Sequence, residues 1–171
     1  MICPACGYDN INGVDQCDGC GQSLASDQHG MGELEQAITG QPVSAIATTA
    51  PESISASMPV KEAINLLTER RIGCVLVNMD GGQFGIFTER DVLMKISADL
   101  ATLQRPVGEF TTADPVVLER HDSIAYALHA MDVGGYRHLP IVDQERKPIG
   151  IVSVRDILSF VRTRFANLRM V

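Results

Sequence analysis

One passage of this chain occurs twice, and that repetition limits its possible folds more than any other feature. Pro42-Val43-Ser44-Ala45-Ile46-Ala47-Thr48-Thr49-Ala50-Pro51 returns as Pro106-Val107-Gly108-Glu109-Phe110-Thr111-Thr112-Ala113-Asp114-Pro115. Gly85-Ile86-Phe87-Thr88-Glu89-Arg90-Asp91-Val92-Leu93 returns as Gly150-Ile151-Val152-Ser153-Val154-Arg155-Asp156-Ile157-Leu158. A repeat of this length is a supersecondary unit that cannot bury its apolar face alone, so a second copy must help to cover it. The same residue types at strand ends in both copies predict two related surfaces with a cleft between them.

Periodicity sets the elements inside each copy. In residues 59–71 the apolar positions Val60, Ala63, Ile64 and Leu67 have helical spacing, with Pro59 suited to a helix start. Residues 73–77 form a short apolar run, Asp80-Gly81-Gly82 a turn, and residues 84–87 a returning strand. The second copy predicts a helix over 123–133, strands over 138–142 and 149–152, and a helix over 153–168. Each copy therefore reads β-α-β-β-α, an α+β fold. Ile64, Leu67, Leu128 and Met131 are expected on uncovered helical faces, which predicts a homodimer closed by twofold symmetry.

Composition narrows the class. Hydrophobic residues make up 45% of the 171 and aromatics only 5%, without Trp, so the core must be aliphatic. No run approaches the ~18 apolar residues that span a bilayer. The start lacks a basic segment followed by an apolar one, so a cytoplasmic location is expected. Residues 1–60 contain seven acidic side chains and no Lys or Arg, whereas the rest balances, so the net charge of −7 lies in the first third. Nucleic-acid affinity depends on basic side chains neutralising phosphates, which disfavours that partner for the front end.

Four of the five cysteines fall in the first twenty residues: Cys3-Pro4-Ala5-Cys6-Gly7, then Cys17-Asp18-Gly19-Cys20-Gly21. Two C-x-x-C pairs at this separation are the ligand pattern of a tetrahedral metal site. The glycine after each pair lets backbone N–H groups turn toward the sulfurs. With only Ile2, Tyr8, Ile11, Val14 and Leu24 for a core, this segment needs a metal or disulfides to persist. Disulfides are disfavoured in a cytosolic chain, and a redox-active pair needs a helix start beside a strand–helix–strand unit, which is lacking here. Residues 1–22 resemble a short zinc ribbon. An iron site of the rubredoxin type uses similar knuckles set further apart. The ribbon would either staple a tail or dock on a partner. Residues 23–40 have a linker composition, with helical spacing over residues 32–39. Cys74 reads as a small core residue on a buried strand.

The motif Gly-Ile-x-(Thr/Ser)-x-Arg-Asp closes each copy at a strand-to-helix junction. Thr88 and Ser153 suit the N-cap, with Asp91 and Asp156 in the capping-box position. Capping does not explain the glycine that begins both strands, nor the Arg before each Asp. A carboxylate at such a junction can also accept ribose hydroxyls, and nearby basic groups can hold phosphate. At these residues, and at Arg137-His138-Leu139-Pro140-Ile141-Val142-Asp143, the chain resembles a tandem of cystathionine-β-synthase (CBS) domains, the Bateman module. The likeness covers residues 41 to about 165, with copies at 41–104 and 105–171.

The resemblance implies two copies packed about a pseudo-twofold axis, a disk-like dimer, and clefts for an adenine nucleotide. It places ribose at Asp91 and Asp156, with Thr88 and Ser153 lining ribose or phosphate. Ile46, Thr48, Phe110 and Thr112 would occupy first-strand positions that contact the base, and Arg90, Arg155, Arg137 and His138 would meet phosphate. The first copy departs from this pattern, having Gly73-Cys74 where the second has Arg137-His138, so the two clefts are expected to differ. His138 also suits a structural role, and His121 and His129 are expected on exposed surface, with His29 in the linker. No nucleophile–base pair, phosphate-cradling loop or open metal site points to an enzyme. The resulting expectation is a regulatory module sensing AMP, ADP or ATP, with structural zinc and a ribbon for docking or output. The alternatives are an unliganded dimeric scaffold and a ribbon-based regulator associated with nucleic acid.

Overall fold

A computed structural model describes residues 1–3, 5–11, 14–24, 38–46, 50–96 and 100–168. Most of the linker, most of the helix expected over residues 32–39, and Thr48 lie outside them. Two compact units are present, one of residues 50–116 and one of residues 1–49 with 117–171. No helix among the described residues is long and apolar enough to cross a membrane.

The first unit is built on strands β1 (Ser53–Ser55), β2 (Cys74–Asn78), β3 (Phe84–Thr88) and β4 (Thr112–Ala113), in that spatial order. β1 pairs parallel with β2, and the other two pairings are antiparallel. Cys74, Val75, Leu76 and Val77 are all buried, as the continuous apolar run requires. Helix α1 (Val60–Arg70) turns Val60, Ala63 and Leu67 into a core with Ile54, Val75, Val77, Phe87 and Ile96. After β3 the chain enters α2 (Glu89–Asp91), which continues as a single π turn over Val92–Ile96.

β4 belongs by sequence to the second copy, yet it pairs with β3 of the first, Ala113 opposite Gly85 and Thr112 opposite Ile86. This contact explains the first of the two strand glycines that capping left unexplained. A Cβ on Gly85 would lie 2.3 Å from the Thr111 methyl and 2.8 Å from the Thr112 carbonyl oxygen, so only glycine admits β4 here.

The second unit contains β5 (Leu118–Glu119), parallel to β6 (His138–Val142), which is antiparallel to β7 (Pro148–Ser153). Helices α3 (Ile124–Gly134) and α4 (Val154–Leu168) supply Ile124, Ala127, Met131 and Ile157 to a core with Val43, Leu118, Leu139, Ile141 and Val152. The segment that opens the first copy joins this unit: Pro42 bridges Ser123, and the Val43 N–H donates to the Asp122 carbonyl at 2.8 Å.

Two expectations need correction. Leu67 and Met131 are not on uncovered faces; they are 5% and 4% exposed, and Ile64 and Leu128 are half-buried against the same cores. The segments opening each copy are not strands at Ile46 and Phe110. Val43–Ala45 and Val107–Glu109 are 3-10 turns, closed by the Ile46 and Phe110 N–H groups donating three residues back to Val43 and Val107.

Candidate functional site: a four-cysteine knuckle pair and two capped carboxylates

The two cysteine pairs adopt the same local fold. The Gly7 N–H donates to the Cys3 carbonyl at 2.9 Å, and the Gly21 N–H donates to that of Cys17 at 2.8 Å. Both glycines have φ near +75°, a region that other residues rarely adopt. Each knuckle then closes by a return bond, from the Cys3 N–H to Tyr8 and from the Cys17 N–H to Gln22. The four sulfurs all lie within 4.8 Å of one another, with Cys3 to Cys20 at 3.8 Å and Cys6 to Cys17 at 3.6 Å. A tetrahedron of sulfurs bonded at about 2.3 Å to a central ion has edges of roughly 3.8 Å, so the spacing fits a metal and is far too long for a disulfide.

The electrostatics of the cluster are uneven. Burial pushes Cys20 up to about 12. Burial acts in the same direction on Cys17, but donation from the Asn10 amide and from the Cys20 and Gly19 N–H groups outweighs it and brings Cys17 down to about 6. Asn10 is itself buried, its amide 3.5 Å from the Cys17 sulfur, while its oxygen accepts from the Asp18 N–H at 2.9 Å. These donors stabilise a thiolate and orient the second knuckle.

The ribbon rests on helix α3. The hydroxyl of Ser123, the N-cap of α3, accepts from the Tyr126 N–H at 3.1 Å and donates to the Ala5 carbonyl at 2.6 Å. Next along the helix, Ala125 packs against the cysteine cluster. His129 is half-buried and its Nε2 bonds the Cys20 carbonyl, so it is not the exposed residue expected. His121 is exposed as expected, its side chain at 81%. Sequence reasoning missed Ser123, Ala125 and His129, since nothing local to them signals a contact with the opposite end of the chain.

The paired closing motifs form the capping boxes expected of them. In the first unit, Asp91 Oδ2 accepts from the Thr88 N–H at 2.9 Å and the Thr88 hydroxyl at 2.7 Å. In the second, Asp156 Oδ2 accepts from the Ser153 N–H at 2.8 Å and its hydroxyl at 2.6 Å. Beyond the caps the two differ. Asp91 is buried, and its Oδ1 pairs with Lys95 at 2.7 Å; Asp156 is half-buried and pairs with no cation among the described residues. Asp91, Thr88, Arg90, Phe110, Thr112 and Cys74 all belong to the first unit. Arg105 stands over the Phe110 ring, 5.0 Å from its centre. Asp156, Ser153, Arg155, Ile46, Arg137 and His138 belong to the second unit, with His138 opposite Ser153 across β6 and β7. A surface hollow in the second unit is lined by Ser44, Arg120, Ile141, Ile149 and Gly150, which adds Arg120 to the cations singled out by sequence.

Comparisons with known proteins agree with this architecture. The CBS domain family matches residues 43–98 and 107–163. A 17.7 kDa protein of Acidianus ambivalens is 33% identical over 116 residues, covering 67% of this chain and 70% of that one. A signal-transduction protein with CBS domains from Burkholderia ambifaria superposes with a TM-score of 0.60 at 31% identity, over 74% of this chain and 90% of that one. A CBS domain protein of Pyrobaculum aerophilum, solved in complex with AMP, gives 0.62 at 22% identity, over 72% and 99%. With both copies matched, the chain belongs to the CBS domain family and is a tandem CBS pair preceded by a four-cysteine ribbon.

Proposed function

We infer that this chain is a regulatory binding module whose CBS repeats take an adenine nucleotide. The observation that carries this reading is the Asp156 junction. There a half-buried carboxylate, held by its Ser153 cap, shares one unit with Arg137, Arg155 and His138. A carboxylate accepts ribose hydroxyls through charge-assisted bonds, and guanidinium groups suit phosphate. Around Asp156, Ile46 and Thr48 are the base-contacting candidates and Ser153 lines the sugar; Phe110, Thr112, Thr88 and Arg90 are the counterparts of the first unit. The P. aerophilum relative's complex with AMP supports an adenine nucleotide as the ligand class.

Zinc is the ion proposed for Cys3, Cys6, Cys17 and Cys20, supported by the compact all-sulfur cluster. Zinc there would hold the ribbon folded and seated on α3 as a docking or output element, and would not enter into chemistry. A thermal-shift panel of AMP, ADP, ATP, NAD and S-adenosylmethionine on metal-replete protein tests the reading. Binding to the native state alone adds about 2.7 kcal/mol of stability at a hundred times Kd. AMP, ADP or ATP should raise the midpoint. No shift from any of the five at millimolar concentration would leave the module as an unliganded scaffold.

A further inference from the structure

Repetition allows the two closing motifs to be compared position by position, and they diverge at one point. Four residues beyond Asp91 stands Lys95; four residues beyond Asp156 stands Phe160. The Lys95 ammonium lies 2.7 Å from Asp91 Oδ1 and donates to the Phe110 carbonyl at 2.6 Å. It therefore bridges two groups of the first unit that a nucleoside would have to reach, the carboxylate for ribose and the Phe110 segment for the base. The other Asp91 oxygen is already taken twice by Thr88. In the second unit the Asp156 cap also uses only Oδ2, while Phe160 packs against the apolar core and has no group to offer a carboxylate.

We propose that Lys95 is a specificity-determining residue that occupies the Asp91 site as a tethered cation, so that each chain binds a single nucleotide, at Asp156. This rests on the nucleotide reading above and deepens it. The ammonium supplies Asp91 with the charge and donor that ribose hydroxyls would otherwise provide in part, and a ribose must displace it from two acceptors to enter. Among the described residues no equivalent competitor stands at Asp156.

Equilibrium dialysis of AMP and of adenosine against the full metal-replete chain counts the sites. The wild type should bind one AMP per chain. Asp156→Asn keeps one oxygen for the Ser153 cap but puts a donor in place of the other, and should weaken that site tenfold or more. Asp91→Asn should leave AMP affinity and stoichiometry unchanged. Lys95→Phe installs the residue of the second copy and should open a second site, detected with adenosine and removed again by adding Asp91→Asn. Lys95 is substantially exposed, with its side chain at 40%, so its replacement leaves the core intact. Two wild-type sites, one of them sensitive to Asp91→Asn, would overturn the proposal and leave the nucleotide reading standing. So would a single wild-type site with no gain in Lys95→Phe. No binding by any of these proteins at millimolar ligand would overturn both.

Discussion

At the scale of single residues, the same side chains serve folding and recognition, and the two roles separate by measurement. Thr88 and Ser153 each accept from the N–H of the aspartate three residues on and donate to its carboxylate. Removing such a cap costs about 1 kcal/mol. Thr88→Ala and Ser153→Ala should each lower unfolding free energy by about that amount in urea titrations without ligand. No measurable loss in either variant would mean that the carboxylates are held by something other than their caps. The cysteines are simpler. Purified chain should carry one zinc, and Cys3→Ser, Cys6→Ser, Cys17→Ser or Cys20→Ser should each lower its content in elemental analysis. Cys74, 4% exposed on β2, should change nothing there and stay unreactive toward alkylating reagents in the folded protein. The metal site is legible in sequence because its ligands lie close together along the chain and each knuckle closes through its own turn. Lys95 is just as local, but a motif defined by what the two copies share hides what distinguishes them. Only an alignment of the copies carried past the end of the motif sets Lys95 against Phe160.

At the scale of elements, the ribbon and helix α3 act together. The Ser123 hydroxyl both caps α3 and holds the first knuckle through Ala5, while His129 holds the second through Cys20. Losing the metal should therefore loosen more than the ribbon itself. Chelation should raise hydrogen exchange at the start of α3, while β2 and β3, built around the other core, keep their protection. Ser123→Ala and His129→Ala should weaken zinc binding severalfold without touching a ligand, because a ribbon that docks less well is a ribbon that folds less well. Unchanged exchange in α3 after metal removal would mean that the contact contributes nothing. None of this is readable from the chain: in sequence Ser123 is an ordinary N-cap and His129 an ordinary surface residue. The strand order is partly readable. Apolar runs and turns mark β2, β3, β6 and β7. They do not predict that β4 pairs with the sheet of the preceding copy, although Gly85 carries the sign of a close backbone approach.

At the scale of the whole molecule, the question is what the pair does with the apolar surface it leaves exposed. The faces that the sequence marks for a dimer are used up by the two cores, Leu67 and Met131 being almost wholly buried. The repetition singles out other positions. Leu93 and Leu158 occupy equivalent places after the two closing aspartates and are 68% and 61% exposed, with Met94 beside the first at 78%. One exposed leucine requires no explanation, since apolar atoms form much of any protein surface. The same leucine exposed in two copies that differ at most other positions marks a demand common to both. A second chain would meet it in both copies, because a twofold assembly uses each contacting surface twice. Light scattering at tens of micromolar should give the mass of two chains. Joint substitution of Leu93→Arg and Leu158→Arg should give one, with zinc content unchanged because neither leucine packs against the cysteine cluster. A wild-type monomer at that concentration would remove the dimer, and a double variant that still pairs would move the interface elsewhere.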